Sequence, residues 1–148
     1  MSDTKLPWHF WAVGILALVW NGFGATDYLM TQLENRGWFA FMGMDEATTD
    51  VALAWIAAQP AWMSALWALG VWGGLAGALL LLARNRLAVP AFLVSLVGAA
   101  GSFVASLQQE VPPELEDFGG GAIMYVVIVL AVFFTWYAWT MRNRGLLH

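Results

Sequence analysis

Residues 61–83, 87–107 and 121–141 form three apolar runs without a charged side chain. A helix needs roughly 20 such residues to cross about 30 Å of hydrocarbon, so each run has the length of a membrane span. A fourth run, residues 8–28, is interrupted mainly by His9, Asn21 and Asp27. Only helices and closed barrels satisfy their backbone groups in lipid, and these runs are continuous rather than alternating, which selects helices. Lys5 precedes the first run as it would in a signal peptide, but Phe23-Gly24-Ala25 is a poor small-x-small cleavage site. The run therefore reads as a true span. The expected fold is all-α, one integral membrane domain over residues 1–148 built as a four-transmembrane-helix bundle.

Composition excludes the competing classes. The chain is 61% hydrophobic and 11% charged, whereas soluble domains run near half apolar and a quarter charged. Zero Cys removes a disulfide scaffold, thiolate catalysis, iron–sulfur clusters and Cys-based zinc sites. A net charge of −4 is the wrong sign for a nucleic-acid partner.

Charge distribution orients the bundle. Four crossings place Lys5, Arg84, Arg86, Arg142 and Arg144 on one face, which the positive-inside rule makes cytoplasmic, with both termini. The other face receives Glu34, Asp45, Glu46, Asp50, Glu110, Glu114, Glu116 and Asp117, offset by Arg36. Trp8, Trp11, Trp136, Tyr137 and Trp139 are expected in the cytoplasmic aromatic belt, and Trp62 and Tyr125 in the outer one.

The connections differ in kind. A turn at 84–86 makes the second and third spans antiparallel neighbours. The outer segment 31–59 has room for structure: Asp45-Glu46 before Val51, Leu53, Ala54, Trp55 and Ile56 predicts a short amphipathic outer (periplasmic) helix, with acids at its positive end. Pro60 then opens the second span as a first-turn proline. The outer loop 108–120, with Pro112-Pro113 and three consecutive glycines, is expected to be irregular and mobile.

Lipid offers no hydrophobic reward for helix association, so close backbone approach between small residues must supply it. Two overlapping GxxxG patterns, Gly70 with Gly74 and Gly73 with Gly77, face the candidates Ser95, Gly98, Ala99, Ser102 and Ser106 of the third span. These faces either meet inside one bundle or form a surface for another protein.

Groups able to do chemistry are few. An ionisable residue deep in a span is a functional site by default, but Asp27 falls near the outer boundary and Asn21 is a neutral amide. With Gln32, Gln108, Gln109 and Glu110 they are candidates for a polar outer mouth, a ligand cleft, against the plainer reading of interhelical hydrogen bonding and interfacial solvation. His9 and His148, the only histidines, sit at the cytoplasmic edge and exclude a bis-histidine haem within the membrane. No cofactor or metal is expected, and no catalytic residue is visible.

Four stretches carry a family resemblance: Trp20-Asn21-Gly22-Phe23-Gly24-Ala25-Thr26-Asp27-Tyr28-Leu29-Met30-Thr31-Gln32, Pro60-Ala61-Trp62, Trp67-Ala68-Leu69-Gly70-Val71-Trp72-Gly73-Gly74, and Pro90-Ala91-Phe92-Leu93-Val94-Ser95-Leu96. Together they resemble a family of small four-span bacterial inner-membrane proteins of unknown function, often labelled "sugar transporter". The resemblance implies the fold and an inner-membrane location, and it transfers no binding or catalytic residue. Two functions remain open. One is a non-catalytic accessory or assembly subunit of a larger membrane complex, whose partners are lipid and another integral membrane protein. The other is a small-solute carrier acting as a homo-oligomer. The lack of deep charge favours the first.

Overall fold

The computed structural model describes residues 5–119 and 122–148, and these contain helices but no strand. The helices are α1 (Trp8–Gln32), α2 (Arg36–Phe41), α3 (Glu46–Ala57), α4 (Ala61–Leu82), α5 (Ala88–Ser106), α6 (Glu116–Gly119) and α7 (Ala122–Asn143). A 3₁₀ turn, Pro113–Leu115, precedes α6. Three helical stretches are long and apolar enough to cross a membrane: α4, α5 and the one ending in α7. α1 is 25 residues long, but His9, Asn21 and Asp27 make it less apolar than those three. Gly121, expected to open the last apolar run, lies outside the described residues.

Small residues fix how the long helices pack. A methyl group added at Gly73 would lie 3.0 Å from Ser95 N, and one at Gly98 2.7 Å from Leu66 O. Gly77 opposes the Phe92 ring and Gly101 the Leu66 side chain. Rising numbers on α4 meet falling numbers on α5, so the pair is antiparallel with its backbones nearly touching. The Ser95 hydroxyl donates to Gly70 O at 2.6 Å across this seam. Gly74 serves two faces, since a Cβ there would lie 3.1 Å from Ser95 Oγ of α5. It would also meet Asn21 of α1, 2.6 Å from its Cγ, because α4 lies between α1 and α5 and needs small residues on two sides. α1 follows α4 antiparallel through Gly14 against Leu82, Gly24 against Val71 and Tyr28 edge-on to Trp67. α5 joins α7 through Phe92 stacked on Phe134 and Phe103 against Tyr125. His9 Nδ1 and the Tyr137 hydroxyl, 2.6 Å apart, tie α1 to α7 at one end. Tyr137 is therefore not in an exposed aromatic belt. It is 6% exposed, while Trp8, Trp11, Trp136 and Trp139 stand outward as expected.

This antiparallel order gathers Lys5, Arg84, Arg86, Arg142 and Arg144 at one end and α2, α3, the 3₁₀ turn and α6 at the other. The basic end is closed by residues 145–148, which double back. Gly145, at φ 72°, stops α7 in the left-handed conformation that glycine adopts without strain. Leu146 and Leu147 then enter the main core beside Leu81, Ala88 and Met141. Arg86 N donates to His148 O at 3.0 Å and His148 N to Arg84 O at 2.8 Å. The Arg84 guanidinium also donates through Nε to Leu146 O at 3.2 Å. Arg84 is itself left-handed, φ 59°, a conformation uncommon for a residue with a Cβ, and it ends α4 with bonds from its own N to Leu81 O and from Asn85 N to Leu80 O.

At the acidic end a second small core joins the α1–α4 and α5–α7 connections. Phe39 of α2, Ala52 of α3 and Leu115 of the 3₁₀ turn bury one another, with Met44, Val51 and Trp55 packed around them. The loop 108–120 is thus not irregular throughout. Proline at 113 suits the first position of a 3₁₀ turn, and burying Leu115 gives that turn a fixed seat.

Candidate functional site

The polar residues singled out in the sequence fall into three separate settings. Asn21, 8% exposed, donates from Nδ2 to Ala17 O one turn back, at 2.8 Å. Its carbonyl oxygen lies against Gly74, whose missing side chain leaves the room. With the Ser95–Gly70 bond beside it, this forms a polar node at the junction of α1, α4 and α5. Ser102, further along α5, has a buried hydroxyl without a hydrogen-bond partner among the described residues.

Asp27 is half-buried, and its Oδ1 accepts from Trp38 Nε1 at 2.8 Å. Trp38 also leans on Phe23 and Phe41. The carboxylate thereby fastens α2 to α1, a role invisible in the sequence because the two residues lie eleven positions apart across a helix end. Gln32 donates from Nε2 to Ser64 Oγ at 3.2 Å, binding the end of α1 to the start of α4. Asp27→Asn keeps an acceptor at Oδ1 and should leave folding intact. Asp27→Leu removes it and should loosen α2 by about 1 kcal/mol, seen as a red-shifted Trp38 emission in a variant retaining that tryptophan alone.

Gln108 is exposed, and Glu110 lines a shallow cleft of about 210 Å³ with Trp55, Ala58, Gln59, Pro60 and Gln109. Gln109 donates to Met63 Sδ at 3.0 Å, so the cleft joins the connection after α5 to the start of α4. Asn21, Asp27 and Gln32 point their polar groups at other partners.

The outer surface of the acidic end is built from capping and ion pairs. Asp45 is the N-cap of α3, its carboxylate accepting from Thr48 N at 2.7 Å. That bond to the amide holds the Asp45 carboxyl below its ordinary value. A depressed folded-state pKa means the stabilisation is fully present above the ordinary carboxylate range, near pH 4, and is lost as pH falls through the folded value. Amide protection in α3, corrected for intrinsic exchange, should therefore be flat from about pH 7 to 5 and fall at lower pH. Asp45→Asn, which also caps, should remove that fall. Arg36 donates to Glu46 at 2.8 Å and to Asp50, and these partners, Asp50 first, hold its guanidinium above the usual value. Both pairs are exposed and contribute little to stability. They neutralise two carboxylates and leave Glu34, Asp45, Glu110, Glu114, Glu116 and Asp117 displayed to solvent.

No group of three or more His, Asp or Glu side chains suited to a metal ion occurs among the described residues. The chain matches no family model, no curated protein and no solved structure.

Proposed function

We propose that the protein is a non-catalytic accessory or assembly subunit of a bacterial inner-membrane complex. In this reading it is a four-span bundle with α1 as the fourth span, both termini cytoplasmic and α3 lying on the outer, periplasmic surface. The observation that carries it is the acidic end. Two outer segments share a core and present exposed carboxylates on a fixed support, an arrangement suited to a basic partner surface. The polar residues of the helices support the same reading, since Asp27, Gln32 and Ser95 fasten helices together and Asn21 bonds within α1. Basic residues gathered at the opposite end favour its placement in the cytoplasm.

Reporter fusions are expected to place the C-terminus and the 84–86 turn inside. An outside signal at either would overturn the topology. For the partner, the protein is extracted from native membranes in mild detergent and run on native gels. A discrete complex with another integral membrane protein, weakened by salt and by Glu114→Gln with Glu116→Gln, is the expected result. A free monomer or homodimer whose vesicles show saturable solute uptake, impaired by Asp27→Asn, would replace the subunit reading with a carrier.

A further inference from the structure

An open groove of about 350 Å³ runs between α5 and α7, walled by Val89, Leu93 and Leu96 on one side and Val132, Trp136 and Trp139 on the other. Its one hydroxyl, on Thr135, donates to Ala131 O at 2.7 Å, so nothing in the groove asks for a polar ligand. Val89 to Leu96 spans about 10 Å of helix, most of one leaflet's hydrocarbon depth of roughly 15 Å. The groove ends at the basic end of the bundle. Val89 N donates to Arg86 O at 3.3 Å, which seats Arg86 one turn beyond the groove. Arg142, three positions after Trp139, occupies the matching place on α7, since such residues share a helix face. Both arginines are exposed, and Arg86 is held in place through its backbone bond to His148. The salt bridges of the described residues belong to Arg36 at the far end.

We infer that this groove seats an acyl chain of an anionic phospholipid, with the lipid phosphate between Arg86 and Arg142. Hydrocarbon fits the dry wall, and two guanidiniums at the interface supply what a phosphate-bearing headgroup with net negative charge requires. A transmembrane helix of another protein would fit less well, since it would run into two cations where the groove ends. The inference rests on the helices being membrane-embedded but not on the docking of a partner at the acidic end.

The test uses the full chain, delipidated in neutral detergent and titrated with phosphatidylglycerol or phosphatidylcholine of identical acyl chains, with retention read by native mass spectrometry. Each basic residue at an anionic headgroup is worth about a factor of five, so with two arginines phosphatidylglycerol should be retained roughly 25-fold better. Arg86→Gln with Arg142→Gln, both surface changes, should bring the two lipids to parity. Thr135→Phe, which fills the groove, should reduce retention of both. Glycerol phosphate, the headgroup without the chain, should not compete. Equal retention of the two lipids by the unaltered protein would overturn the inference. So would unchanged phosphatidylglycerol retention in the double arginine variant, effective competition by glycerol phosphate, or a homodimer that excludes lipid from the groove.

Discussion

Gly98→Ala is expected to lower the unfolding free energy in detergent by about 1–3 kcal/mol, the range for overpacking a close contact. The added methyl would meet Gly70 N and sit 2.7 Å from Leu66 O. Both are backbone atoms of α4, so no rotamer change relieves them, and the helices must separate. Separation also stretches the Ser95–Gly70 bond. Gly22→Ala provides the control, because a methyl there has nothing within 4 Å. Alanine is the better helix former by about 1 kcal/mol, so that variant should be as stable as the parent or more so. Titration with a denaturing detergent, followed by circular dichroism, separates the two. Equal effects would mean that the α4–α5 seam is looser than described.

Leu146→Ala and Leu147→Ala should each cost about 2 kcal/mol, the lower end for truncating a buried leucine. Both side chains are nearly inaccessible, 5% and 6% exposed, and fill the basic end of the core. Their loss should also loosen the bonds that Arg84 makes to the tail, through its guanidinium to Leu146 O and its carbonyl to His148 N. Combining either change with Arg84→Gly should give less than the sum of the separate effects, because glycine adopts that conformation freely but has no guanidinium to bind the tail. Additive values would show that the tail and the turn are independent.

Much of the helical layout was legible. The apolar run 61–83 became Ala61–Leu82, and 87–107 became Ala88–Ser106. Gly70, Gly73 and Gly77 were readable as a seam with Ser95 and Gly98 because only close approach rewards association in lipid. Gly74 faces Ser95 Oγ of that seam and also Asn21 of α1, and the second contact was not readable because spacing alone does not reveal that a helix has neighbours on two sides. Tyr137 was misplaced for a different reason. It sits among outward tryptophans in sequence, but at 100° per residue it shares the inward face of Phe134, Ala138 and Met141, a pattern the periodicity did contain. The tail Leu146-Leu147 is too short for any periodic signal. The union of residues 33–60 with 108–119 depends on Phe39 meeting Leu115 across most of the chain, a long-range contact that no local pattern encodes. For the candidate site, the sequence supplied Asn21, Asp27 and Gln32 as polar residues worth locating, but not Trp38, Ser64 or Ala17, the partners that decide what they do.

Photo-crosslinking in intact cells tests the docking proposal most directly. A photoreactive residue is placed at Glu114 or Asp117 on the acidic end, and in parallel at Val97, an outward position on α5. A discrete adduct with a second membrane protein is expected from the acidic positions, reduced when Glu34 and Glu110 are made glutamine, with diffuse or no adducts from Val97. Adducts from Val97 alone, or from none of the positions, would contradict it.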